Sequence, residues 1–147
     1  MGQKHSIPKK DLAVCFVFFN PAKSKRILMN YLYVVNRLRE FPCFTLELTF
    51  EDAKPETQNA FHVQSESYMF HKERMCRILE TKIPKKYKKI VFMDADLFYI
   101  GTDWYYNMSK ALDSYNVVQG FEEAHWLDVT YQNIMLSRQS AVICKNK

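Results

Sequence analysis

Ala13–Phe19 (AVCFVFF) is an unbroken apolar run rich in valine and phenylalanine. A segment with no polar alternation has no face to offer to water. It suits a strand buried on both sides, as inside a parallel sheet covered by helices. Asn20-Pro21 stops the run. Ser24–Glu40 (SKRILMNYLYVVNRLRE) then places Ile27, Leu28, Tyr31, Leu32, Val35 and Leu38 on one helical face, with Lys25, Arg26, Arg37, Arg39 and Glu40 elsewhere. Ser24 is the expected N-cap.

The alternation continues. Phe44–Phe50 (FTLELTF) has period two, which predicts a strand whose Thr45, Glu47 and Thr49 face is less buried than the first strand. Glu51–Glu66 is polar, contains Pro55 and reads as a long loop. A helix is expected from about Ser67 to Thr81, carrying Met69, Met75, Cys76, Ile78 and Leu79 and closed by Pro84. Lys89–Met93 (KIVFM) is a short strand, Thr102–Tyr115 a helix capped by Thr102, and Asn116–Phe121 (NVVQGF) another strand. The signal weakens after Glu122, where Leu127–Ile143 reads as a weak helix. Strands alternating with helices predict an α/β fold, a Rossmann-like, mainly parallel sheet flanked by helices. The length suits a single domain over 1–147. With 48% apolar and 25% charged residues, the composition is that of a globular protein, and no low-complexity tract is visible.

The net charge of +5 gathers in TKIPKKYKK, where Lys82, Lys85, Lys86, Lys88 and Lys89 crowd together. The sequence context reads as a solvated helix-to-strand connection. No nucleic-acid motif accompanies it, and no nucleic acid is expected as a partner. The four cysteines are widely spaced and form no C-x-x-C, and Cys15 and Cys76 fall on apolar faces. Both are expected to be reduced core residues, which fits the cytoplasm. No run approaches the ~18–20 apolar residues that span a bilayer. LAVCFVFF lacks the small-residue cleavage site of a signal peptide. The opening MGQKHS fits the pattern for myristoylation of Gly2, and membrane contact is expected only if Gly2 is so modified.

The chemistry concentrates in KIVFMDADLFYI, where Asp94 and Asp96 follow an apolar strand directly. If the strand continues, residues i and i+2 share a face and both carboxylates converge on one ligand. If the chain turns at Asp94, both still sit at the strand's carboxyl end, where ligands of such sheets bind. Two adjacent buried carboxylates repel unless one is protonated or a cation intervenes, and hard cations such as Mg²⁺ or Mn²⁺ prefer such oxygens. A haloacid-dehalogenase-type phosphatase would continue D-x-D-x-[TV], where this chain has Phe98. The glycine-rich setting of D-x-D nucleases is absent.

KKIVFMDADLFY resembles the apolar strand and D-x-D element of GT-A glycosyltransferases. The longer HKERMCRILETKIPKKYKKIVFMDADLFY resembles the W-x-K-E-R helix, lysine-rich link and D-x-D strand of glycosyltransferase-like proteins of bacteria and large DNA viruses, with Phe70 in place of the usual tryptophan. NVVQGFEEAHWLD is similar to the strand that follows in those proteins, so the resemblance runs from Leu12 to about Asp128.

The resemblance implies a nucleotide-diphospho-sugar donor and a Mn²⁺ or Mg²⁺ cofactor. Asp96 would be the more direct metal ligand, and Asp94 would contact ribose or a metal-bound water. Asn20 would lie near the nucleotide, and Glu51 or Asp52 would accept a hydrogen bond from base or ribose. Lys72, beside Glu73 and Arg74, offers a cation for the diphosphate. His62 and His71 are weaker metal-ligand candidates, and Trp104 and Trp126 are expected to pack in the core. Such domains are longer than this chain, so the acceptor half is expected to be missing, the acceptor is unknown and no catalytic base can be nominated. Apolar surface left where that half would dock calls for a homodimer or a complementing chain. The alternatives are a non-catalytic nucleotide-binding remnant and a purely structural or interaction protein.

Overall fold

The structure, a computed structural model, describes residues 9–101 and 103–141. The protein is α/β. The chain divides into two units, Met1–Thr102 and Asp103–Lys147. The first contains β1 (Leu12–Phe19), α1 (Lys25–Arg37), β2 (Cys43–Phe50), β3 (Phe61–Ser65), α2 (Lys72–Lys82) and β4 (Lys89–Met93). Its four strands form one parallel sheet in the order β3-β2-β1-β4.

β1 is central, and seven of its eight residues are buried, as the apolar run requires. Alternation sorts its side chains between two helices. Ala13, Cys15 and Val17 join Leu46 and Leu48 of β2 under Met75, Leu79 and Ile83. Phe16 and Phe18 point the other way, onto Tyr31 of α1, with ring centroids 6.4 and 4.7 Å apart. α1 and α2 therefore cover opposite faces. Each fully buried aromatic or leucine contributes roughly 1.5–3 kcal/mol. Burial also pushes the Cys15 thiol up to about 12 and that of Cys43 to about 11, so both remain protonated thiols at neutral pH.

Several expectations are corrected. The alternating face of β2 is as buried as the other: Thr45, Glu47 and Thr49 are all shielded, and each finds a partner. The buried residues of α1 are Tyr31 and Val34, continued by its C-cap Leu38, while Ile27 and Leu32 are exposed. Ser24 is the N-cap, its hydroxyl accepting from the Ile27 amide. The expected long loop contains an edge strand, β3, paired to β2 from Leu46↔Phe61 to Phe50↔Ser65. α2 begins at Lys72 rather than Ser67, because Tyr68 and Phe70 are used elsewhere.

The second unit holds α3 (Trp104–Ala111), β5 (Glu123–Leu127) and β6 (Ile134–Gln139). Thr102, the expected cap, lies outside the described residues. Asn116–Phe121 is not a strand, and Val117 is 88% exposed. In place of the weak helix over Leu127–Ile143 stands an antiparallel hairpin, β5 with β6. Trp126 is about half exposed on it, with Arg138 over its ring, and is not a core residue.

Asp128 builds the hairpin's turn. Its carboxylate accepts from the Asn133 side-chain amide at 2.8 Å, the Thr130 hydroxyl at 2.7 Å and the Thr130 and Gln132 amides at 3.0 and 3.2 Å. These donors, the Asn133 amide and Thr130 hydroxyl foremost, hold its pKa well below the usual carboxylate range. The contribution of a depressed carboxylate is complete above its unfolded value, about 3.9, and is lost as the pH falls. The Thr130 and Gln132 amides should therefore keep constant exchange protection above about pH 4 and lose it progressively as the pH falls from there through the depressed folded-state pKa, while Asp128→Ala should remove that pH dependence. Amide exchange followed by NMR between acid and neutral pH checks this.

Candidate functional site

β1, β2 and β4 all end at the same, carboxyl edge of the sheet. β1 connects onward to β2 on one side, while β4 lies on its other side. The crevice between diverging neighbours at the carboxyl edge is where such sheets bind ligands. Pairing of β4 with β1 stops at Phe16↔Met93, and β1 continues through Val17, Phe18 and Phe19. Asp94 is the next residue of β4, and Asn20 the next of β1.

The D-x-D does not continue the strand. The Leu97 amide donates to the Asp94 carbonyl at 3.1 Å, which closes a turn with Ala95 and Asp96 at its centre. Both carboxylates are exposed. The turn is anchored on either side of the sheet. Lys72, the first residue of α2, hydrogen-bonds and ion-pairs with Asp94. Phe98 packs edge-on against Tyr33 of α1 at 5.8 Å, beneath the Arg37 guanidinium at 5.3 Å. The segment thus straddles the sheet's end from one helical layer to the other. Asp96 makes no ion pair among the described residues.

Of the other sequence candidates, Asn20 follows β1 at the same edge, with its side chain engaged in local hydrogen bonds. It is 5% exposed; its amide donates to the Ser24 carbonyl and to Glu56 Oε2, both at 3.0 Å, and its oxygen accepts from the Ser24 amide at 2.9 Å. It thereby braces the turn that starts α1, where Lys23 adopts a positive φ of 53°. Glu51 and Asp52 are exposed beyond β2. Glu51 has φ 49°, and its amide donates to the Ser65 carbonyl at 3.0 Å. Lys72 and Asp94 are brought into contact; Glu51 and Asp52 share their edge of the sheet. His62 is committed to the Thr57 carbonyl at 2.9 Å, and His71 is the N-cap position of α2 without a side-chain cap bond.

Two features were missed in the sequence. Tyr68 and Phe70 form an aromatic shelf over the ends of β1 and β2. Phe70 stacks on Phe19 at 5.3 Å, and Tyr68 meets Phe50 edge-on at 4.8 Å. Both remain substantially exposed, at 57% and 42%. Their position immediately before Lys72 was the available signal. The other feature is Glu47, buried in mid-strand. It accepts from the Glu56 and Thr57 amides at 2.7 and 2.9 Å and from the Thr57 hydroxyl at 2.6 Å. A lone glutamate in an otherwise threonine-and-apolar strand was its signal.

Chemically, the edge offers two hard oxygen ligands, one lysine and an aromatic surface. Among the described residues no group of three or more His, Cys, Asp or Glu is placed to hold a metal. Compared with protein-family models, curated proteins and solved structures, the chain matches none.

Proposed function

We propose that this chain binds a nucleotide-diphospho-sugar at the carboxyl edge of its sheet, as a GT-A glycosyltransferase-like protein. The observation that supports this best is the exposed Asp94–Asp96 turn at the switch point between β1 and β4, with Lys72 against Asp94. The donor set fits Mg²⁺ or Mn²⁺, which are usually bound by one or two carboxylates with substrate phosphates and water completing the shell. Asp96 and Asp94 would hold the ion, which when bound would act as a Lewis acid toward the departing diphosphate. Lys72 places a point charge beside the same phosphates. The shelf of Tyr68 and Phe70 offers a surface on which the base stacks.

The Lys72–Asp94 pair also favours a second reading. Lysine already neutralises Asp94, so the turn needs no metal to be stable, and the chain would bind a nucleotide without transferring a sugar, or would serve only as a structural or interaction protein.

A thermal-shift panel of nucleoside diphosphates with and without Mn²⁺ tests the proposal. Ligand at a hundredfold excess over Kd stabilises by about 2.7 kcal/mol, a rise of several degrees for one of the diphosphates and only with metal. Lys72→Ala should weaken that binding by about tenfold, the scale of one charge-assisted phosphate contact. Failure of every diphosphate to shift the midpoint sinks the nucleotide reading. Release of free sugar from the donor, or its transfer, separates the enzyme from the binding protein.

A further inference from the structure

In a parallel sheet the strands begin at one edge, and the helices that follow them end there. That amino edge lies opposite the Asp94 turn. Lys10 and Lys88 stand just before β1 and β4, which pair from Leu12↔Lys89, and Arg39 lies in the turn that leads to β2, which pairs with β1 from Val14↔Cys43. Lys10 Nζ donates to the Glu40 carbonyl at 2.6 Å and lies over the Phe41 ring. The loop from α2 to β4 brings Lys85 and Lys86 to the same edge, because Tyr87 packs on Phe44 at the start of β2, at 5.6 Å. Lys9, Lys10, Arg39, Lys85, Lys86 and Lys88 are all exposed. Among the nearby acids, Asp11 lies 3.1 Å from Lys89 and 4.0 Å from Lys9, and Glu40 is exposed.

We propose that this basic edge is a docking surface for an anionic lipid bilayer. Two observations favour lipid over nucleic acid. Five of the six cations are lysines, compact point charges suited to a diffuse anionic surface, whereas bidentate phosphate recognition selects arginine. Phe41 and Tyr87 lie half-buried among them, placed like interfacial aromatics, and the Tyr87 ring is engaged with Phe44 and Lys86 rather than offered to a base.

The test uses the full chain without an acyl group, sedimented with vesicles of phosphatidylcholine alone or with about 30% phosphatidylserine. Binding is expected only to the phosphatidylserine vesicles. It should fall at least about tenfold between 0.1 and 0.5 M salt, and by a similar factor in Lys85→Glu/Lys86→Glu/Lys88→Glu. A Lys→Gln version of the triple variant should give an intermediate loss with an unchanged thermal midpoint, which separates charge from misfolding. Equal binding to both vesicle types, undiminished binding of both variants, or binding to a short DNA duplex but not to the phosphatidylserine vesicles would each overturn the proposal.

Discussion

Asp96→Ala is expected to weaken manganese-dependent binding of a nucleoside diphosphate severely while leaving the fold intact. Asp94 is already engaged by Lys72, so Asp96 is the carboxylate whose oxygens are uncommitted among the described residues. Its removal leaves a cation with one protein ligand that it must share with a lysine. Even outer partners of metal ligands cost 10–100-fold in affinity when mutated, so a loss of about a hundredfold is expected here. Asp96 is exposed in a turn closed by the backbone, from the Leu97 amide to the Asp94 carbonyl. The thermal midpoint without ligand should therefore hardly move, since surface changes of this kind stay within about 0.5 kcal/mol. Titration calorimetry with Mn²⁺ and the best diphosphate of the panel reads the effect. Unchanged affinity in Asp96→Ala would remove the metal from the proposal.

The largest effect on stability is expected at Glu47, which no ligand needs to touch. Its carboxylate is 2% exposed at residue level and answers three donors of the Glu56–Thr57 segment. Glu47→Ala leaves those donors facing a cavity. Each buried group stripped of its partner costs about 1–3 kcal/mol, and with partial relaxation the total should be about 3 kcal/mol. The midpoint should drop by roughly 10 °C for a domain of this size. Glu47→Gln keeps one accepting oxygen and should lose about half as much. The damage is expected to spread, because Glu56 also accepts from Asn20, which braces the first turn of α1. Urea unfolding of the two variants checks the order; equal stability of Glu47→Ala and wild type would mean that the segment is held by other contacts.

The parts of the fold that were legible in the sequence are those fixed by a single physical demand. β1 is an apolar run that only a covered parallel sheet can house, and β4, although an edge strand with only Met93 buried, announces itself by its run of Ile, Val, Phe and Met; both were placed to within a residue. Ser24 declared its helix start by its own hydrogen bond. Elements whose character depends on distant neighbours were not legible. FHVQS looks like loop, and becomes β3 only because β2 offers an edge and Glu47 and Thr57 hold His62 in place. Tyr68 and Phe70 suit a helix, yet they cover Phe50 and Phe19, so α2 starts later. Asp128 organises a turn in a stretch whose spacing suggested a helix. For the candidate site, the position of Asp94 and Asp96 at the carboxyl end of β4 follows from the run before them. That the chain turns there, and that Lys72 reaches Asp94, depends on where α2 begins.

The position of β4 in the sheet has a consequence for the order in which the molecule assembles. β1 meets β2 across a short crossover, from Val14 to Cys43, but meets β4 only across the much longer span from Leu12 to Lys89. Closing the longer loop costs roughly 1 kcal/mol more entropy, and nothing pairs with the outer side of β4 among the described residues. β1, α1 and β2 should thus form an early cooperative unit, with β4 and the Asp94 turn joining last. Native-state hydrogen exchange should find the β4 amides opening at lower free energy than those of β1. The candidate site would then exist only in chains that have finished folding, so a molecule that has buried its hydrophobic nucleus would still lack the Asp94 turn in place.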